Sequence, residues 1–315
     1  MNKVTIIGAG NVGSTIAYTL TVAGIASEIV LVDIKEAKAY GEAMDIRQGT
    51  PFCGSPCFIY SGRYEDARDS DIVIITSGVP RKPGQSRLDL AQTNIDVTKK
   101  IIPEITRSAP DATYIIVSNP VDILTYVFCR LSGLPEERVI GSGTLLDATR
   151  LRARLSEIYS VSQQNVHAFV LGEHGDSSVI PWSTVNISNV PIDEYGAAMR
   201  RQGKKEEKLD RAEVEQYVRR SGGKIIECKG ATYFAVSVCV AHLCRCILSG
   251  IDTTLPVSSM MHGEYGIDDV CLSIPTVIGH GGVQGKMLLP LTEEEAARLR
   301  LSAESLKKII SSVSI

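Results

Sequence analysis

The sequence has no excess of either charge: 33 lysines and arginines stand against 36 aspartates and glutamates, a net charge of −3. That balance excludes a polybasic surface built for nucleic acid or for an anionic membrane. No CxxC pair occurs. The eight cysteines (Cys53, Cys57, Cys129, Cys228, Cys239, Cys244, Cys246 and Cys271) are scattered, several of them within apolar helical runs. Such spacing argues against a disulfide framework, a zinc site or a redox pair, and predicts reduced, buried thiols. Histidines, cysteines and carboxylates show no metal-ligand spacing; His242, His262 and His280 are isolated and read as structural. Long charge-free apolar runs are missing too. The longest apolar stretch, 233–251, carries His242 and Arg245, so it predicts a buried core helix rather than a membrane span. The opening MNKVTIIGAG runs straight into a strand-like segment, and the expectation is a cytoplasmic protein without a leader. Internal repeats and low-complexity linkers are also absent, so two tightly packed domains are expected. The 315 residues, 44% of them hydrophobic, suffice for one large or two medium cores.

What is present is a rhythm. Strand-like segments at Val4–Ile7, Glu28–Val32, Cys57–Tyr60, Asp71–Thr76, Thr113–Val117 and Arg138–Ile140 alternate with amphipathic stretches, such as the one carrying Ile95, Ile101, Ile102 and Ile105. Alternation of this kind predicts an α/β fold with a doubly wound parallel sheet covered on both faces. After about residue 143 the pattern changes. A helix near Leu146–Tyr159 leads to strand-like VHAFVLG, a charged helical stretch over Lys204–Arg220, the long apolar helix and strand-like segments from Thr254 to Gly279. Thr292 and Glu295 have capping-box spacing and open a last helix. The expected domains are 1–143, a Rossmann-type nucleotide-binding unit, and 144–315, a mixed α+β substrate unit that closes over it.

Residues 8–13 read GAGNVG, which sets Gly8, Gly10 and Gly13 in G-x-G-x-x-G spacing. The hexapeptide alone is a weak signal. Here it follows the strand VTII and opens an apolar helix (Val12, Ile16, Leu20), the context a dinucleotide site requires. The first glycine permits the tight turn, the second admits the pyrophosphate, and the third allows close helix packing. The helix N-terminus then offers N–H groups and a positive dipole end to the phosphates. Asp33 ends the second strand, where its carboxylate can bind both ribose hydroxyls and repel a 2′-phosphate. The expected cofactor is NAD rather than NADP.

GEHGDSS places His174 between flexible glycines, and LDATRLR places Asp147 and Arg150 three residues apart, on one helical face. A carboxylate on one imidazole nitrogen fixes the tautomer and stabilises the imidazolium. Reduction of a ketone needs such an acid, because the carbonyl oxygen gains a proton as its carbon gains hydride. Arg150 offers a fork suited to a carboxylate.

Together GAGNVG, TSGVPRKPGQSRLDL, VSNPVDILTY, GSGTLLDATRLR, GEHGDSSVIPWS and KGATYFAVS resemble the lactate/malate dehydrogenase family nearly end to end. The resemblance implies His174 as proton donor and acceptor, Asp147 as its partner, Arg150 as the carboxylate anchor and Arg87 as a lid arginine that polarises the carbonyl. Asn119 would lie beside the carbonyl and nicotinamide, and Thr232 would line the substrate pocket. Cofactor contacts would fall on Gly8, Gly10, Asn11, Val12, Gly13, Asp33, Lys38, Tyr64, Gly78, Val117, Asn119 and Ser142.

Within the family, one lid position separates lactate from malate enzymes. The aligned residue here is Arg81, which would suit the second carboxylate of oxaloacetate. Gln85 likewise departs from the lactate pattern. GEHGDS, SNPVDILTY, GSGTLLD and the threonine of KGAT resemble the lactate enzymes. The expectation is therefore NADH-dependent reduction of pyruvate to L-lactate, with NAD-dependent malate oxidation as the alternative. A catalytically silent NAD-binding scaffold on the same fold remains a second alternative. Arg152, about 200° around the helix from Arg150, and His167 match positions where many bacterial members bind fructose 1,6-bisphosphate across a subunit interface. This implies an activator and a homotetramer, against the plainer possibility of a surface arginine and a structural histidine.

Overall fold

The computed structural model describes residues 2–79, 87–200 and 209–315. From the N-terminus, β1 (Lys3–Ile7), β2 (Glu28–Val32), β3 (Phe58–Ser61), β4 (Ile72–Ile75), β5 (Thr113–Ile116) and β6 (Val139–Gly141) run parallel in the order β3-β2-β1-β4-β5-β6. The connecting helices are α1 (Asn11–Val22), α2 (Glu36–Gly49), α3 (Arg87–Ser108) and α4 (Val121–Leu131). The strands are apolar on both sides because both sides are covered. Ile6, Ile29, Leu31, Ile72, Ile74 and Ile115 pack in one core layer, and Ile7, Val30, Val73, Ile75, Tyr114 and Ile116 in the other. Each such buried aliphatic side chain contributes about 1.5–3 kcal/mol. Strand order reverses between β1 and β4, which opens a crevice at their carboxyl ends.

The second half begins with α5 (Leu145–Tyr159) and continues through a small sheet of β7 (Val166–His167), β8 (Asn186–Ile187) and β9 (Val190–Pro191). It then runs through α6 (Ile192–Arg200), α7 (Arg211–Lys229) and α8 (Phe234–Ser249). The strands β10 (Thr253–His262), β11 (Asp268–Gly279) and β12 (Gly282–Lys286) precede α9 (Glu293–Ile310). These last strands do not build a separate layer. They extend the parallel sheet antiparallel, joined through Ser258 opposite Gly141, so nine strands form one sheet among the described residues. A third core around Leu151, Leu155, Val166, Trp182, Val214 and Val218 ties α5 and α7 to the small sheet.

Three expectations need correction in detail. The strand read over VHAFVLG shrinks to Val166–His167, because its partner β8 is only Asn186–Ile187; beyond it lie isolated bridges from Leu171 to Val179 and from Gly172 to Ser273. The long apolar helix buries one face only: Phe234 is 65% and Val238 61% exposed. Six cysteines are buried, but Cys53 is half-buried and Cys228 exposed. The capping box at Thr292 and Glu295 forms in both directions. Among the described residues no helix is long and apolar enough to cross a membrane.

Candidate active site

The glycine loop leaves β1 at its carboxyl end, where a tight turn is needed. Gly8 takes φ +111°, and a Cβ there would meet Thr76 Oγ1 at 2.8 Å and Ser77 N at 2.9 Å. Its N–H donates to Val32 at 2.7 Å, and its carbonyl accepts from the Thr76 hydroxyl at 2.8 Å. A Cβ on Gly13 would lie 1.9 Å from the Gly8 carbonyl oxygen, so α1 can start here only with glycine. Gly10 has open space around its missing Cβ, and no side chain caps the N-terminus of α1, which begins at Asn11 and Val12. Asp33, at the end of β2, accepts from the Ala9 and Lys35 amides, both at 2.8 Å. An uncapped helix N-terminus, room at Gly10 and a carboxylate one strand away fit a dinucleotide. Lys38 is exposed on α2, and Gly78 is exposed beyond β4. Tyr64 packs half-buried against the core, and burial, with Glu104 and Asp33, raises the pKa of its hydroxyl.

At the crevice between the halves lies a cavity of about 310 Å³. Val12, Val117, Asn119 and Ser142 reach it from the parallel-sheet side; Asp147, Arg150, His174 and Thr232 reach it from the other. Asp147 and Arg150 sit in the first turns of α5, and Asp147 bridges two neighbours. Its Oδ2 is 2.5 Å from His174 Nδ1, and its Oδ1 accepts from Arg150 Nη1 at 2.9 Å. The side chains of Asp147, Arg150 and His174 are 7%, 14% and 24% exposed. Asp147 holds the His174 imidazole above its ordinary pKa against the opposing effects of burial and Arg150, with help from Asp122. With Nδ1 engaged, Nε2 is the ring atom left to exchange a proton with a carbonyl in the cavity. Arg150 keeps further N–H groups for a carboxylate.

Several residues at this site escaped sequence reasoning. Buried Asn94, on α3, accepts from the Val79 amide at 2.8 Å and donates to the Asn119 carbonyl at 2.7 Å. It thus holds the chain where it enters residues 80–86 and ties it to the Asn119 loop. A polar residue at the core-facing position next to Ile95 was the available signal. Asp122 accepts the His174 backbone N–H at 2.8 Å. Arg219 lines the cavity from α7, donating to the Ser178 carbonyl at 3.0 Å and pairing with Glu215 at 2.9 Å. Gly222 and Gly223 line the same wall, and a Cβ on Gly222 would stand 3.3 Å from Arg150 Nη2.

Other expected residues lie elsewhere. Arg152 donates to the Gln163 carbonyl at 3.0 Å and does not line the cavity; His167 is exposed on β7. Arg81 and Gln85 fall outside the described residues, as does the side chain of Arg87, whose backbone begins α3.

Comparison with known proteins agrees with this layout. Residues 2–141 match the lactate/malate dehydrogenase NAD binding domain, and residues 144–314 the lactate/malate dehydrogenase alpha/beta C-terminal domain. An L-lactate dehydrogenase of Acetivibrio thermocellus is 46% identical over 315 residues, covering 100% of this chain and 98% of that protein. One of Thermoanaerobacter pseudethanolicus is also 46% identical, with 100% of both chains covered. Among solved structures, the minor L-lactate dehydrogenase of Enterococcus mundtii in a ligands-bound form superposes with a TM-score of 0.93 at 38% identity, covering 100% of this chain and 99% of that one. With family models matched over residues 2–141 and 144–314 and a relative 46% identical along its whole length, this chain belongs to the lactate/malate dehydrogenase family.

Proposed function

We propose that this NAD-dependent enzyme catalyses the reversible reduction of pyruvate to L-lactate. The observation that carries the proposal is the bridge of Asp147 between His174 and Arg150 on the wall of one cavity. His174 gives the carbonyl oxygen its proton in reduction and takes it back in oxidation. Asp147 orients the ring and stabilises its imidazolium. Arg150 anchors the substrate carboxylate, with Thr232 on the same side of the cavity and Asn119 facing it from the parallel-sheet side. Arg87 polarises the carbonyl, an interaction that exclusion of water from the site strengthens. NADH supplies the hydride. Its binding is assigned to Gly8, Gly10, Asn11, Val12, Gly13, Asp33, Lys38, Tyr64, Gly78, Val117, Asn119 and Ser142. Residues 1–143 form the cofactor unit and 144–315 the substrate unit.

The full-length relatives named L-lactate dehydrogenase support pyruvate over oxaloacetate. The malate alternative rests on Arg81 and Gln85, both outside the described residues. Assembly as a cytoplasmic homotetramer, with fructose 1,6-bisphosphate at Arg152 and His167 as activator, completes the proposal. Exposed apolar pairs one helical turn apart, Tyr18 and Val22 on α1 and Phe234 and Val238 on α8, support an oligomer, because the two helices pack together and present them on the surface. The test is turnover of NADH with pyruvate in wild type and His174→Gln. Loss of at least 10²-fold in the variant is expected, and full activity would refute the assignment.

A further inference from the structure

Two adjacent glycines stand in the middle of α7, and the backbone does not ask for them: neither Gly222 nor Gly223 takes a positive φ. Glycine is a poor helix former, so the pair weakens the helix that carries it. Both face the catalytic cavity. Arg219, Gly222, Gly223 and Ile226 line it together, at the three-, four- and seven-residue spacing of one helical face.

The two glycines answer different needs. A Cβ on Gly222 would stand 3.3 Å from Arg150 Nη2, so there the helix comes close to the carboxylate anchor. A Cβ on Gly223 would meet nothing within 4 Å, so packing gives no reason for a glycine at that position. Its effect is a gap in the cavity wall.

The surroundings of the gap are apolar. Ile226, one turn further along α7, lines the cavity yet is 51% exposed, and Val236 and Cys239 of α8 line it as well. Covering such surface with an apolar ligand group is favourable. Arg219, the charged member of the stripe, is already paired with Glu215, so the gap holds no free cation for a second carboxylate. A 2-oxo acid with its carboxylate on Arg150 and its carbonyl at His174 has one group left, the substituent on C2. In pyruvate that group is a methyl, which needs no gap. A substituent of a few carbons would reach past Gly222 to the opening at Gly223.

We infer that the enzyme also reduces 2-oxo acids with longer aliphatic side chains, and that Gly223 is the residue that admits them. Hydride passes from NADH to C2 and the His174 proton to the carbonyl oxygen, leaving NAD⁺ and the 2-hydroxy acid. The inference rests on Arg150 and His174 seating the substrate as proposed above.

The test is kcat/KM by NADH oxidation for pyruvate, 2-oxobutanoate, 2-oxopentanoate and 4-methyl-2-oxopentanoate, in wild type, Gly223→Leu and Gly222→Ala. Wild type should turn over all four acids. Leucine is a good helix former and fills the gap. The ratio of kcat/KM for 4-methyl-2-oxopentanoate to that for pyruvate should therefore fall at least roughly tenfold in Gly223→Leu. Gly223→Ala should move the ratio the same way by less, and it decides the matter if the leucine variant does not fold. Gly222→Ala crowds an anchor common to all four acids and should lower them by similar factors. Wild type that reduces pyruvate but none of the longer acids, or an unchanged ratio in the Gly223 variants, overturns the role of Gly223. So does a ratio that falls as far in Gly222→Ala. Failure to turn over any of the four overturns instead the reading of the site on which the inference rests.

Discussion

Replacing Asp147 with asparagine probes the bond on which the chemistry depends. The side chain is 7% exposed and holds two partners at 2.5 and 2.9 Å, so water cannot replace what the substitution removes. Breaking one side of a buried charged pair costs about 3–5 kcal/mol. If that loss falls on the imidazolium in the transition state, at about 1.36 kcal/mol per decade, kcat/KM for pyruvate drops roughly 10²–10⁴-fold. The sign of the pH effect follows from the cause. Asp147 is the main influence raising the His174 pKa, so the wild-type ring stays protonated to higher pH and reduction persists there. Without the carboxylate the ring deprotonates earlier, and the alkaline limb moves to lower pH. Steady-state NADH oxidation between pH 5.5 and 9 measures both effects, with circular dichroism as the control for folding. A loss of less than about tenfold with an unmoved limb would refute the coupling.

Other substitutions test separate links. Gly13→Ala places a methyl group against the Gly8 carbonyl, an overpacking cost of about 1–3 kcal/mol; NADH titration by fluorescence should show weaker binding and thermal melting a lower Tm. Gly222→Ala crowds the Arg150 guanidinium and should raise KM for pyruvate more than it lowers kcat. Gly223→Ala meets open space in mid-helix and should stabilise the protein by about 0.4–1 kcal/mol in urea unfolding. Asn94→Ala removes the acceptor of the Val79 amide and the donor to the Asn119 carbonyl and should cost about 0.5–1.5 kcal/mol per bond in urea unfolding, lowering kcat through a loosened Asn119 loop.

Much of the fold was legible because β-branched runs and helical periodicity are local signals: the segment at Glu28–Val32 is the observed β2, and the other five early strands differ by a residue or two. Strand neighbours are not local. Nothing in the periodicity of 254–279 says that these strands would extend the first sheet through Ser258 and Gly141. Nor does apolar composition tell which face of α8 is covered, since α1 packs against one side and leaves Phe234 and Val238 exposed. In the site, His174, Asp147 and Arg150 stood out because glycines flank the histidine and a three-residue spacing joins the other two. Asp122 was hidden by its position: an acid in the first turn of a helix is favoured by the helix dipole whatever else it does. Its contact with His174 spans 52 residues and exists only after folding.

The most direct test of the central assignment is kcat/KM for pyruvate against oxaloacetate with NADH, each with and without fructose 1,6-bisphosphate. The account predicts a clear preference for pyruvate. A preference for oxaloacetate under both conditions would contradict it.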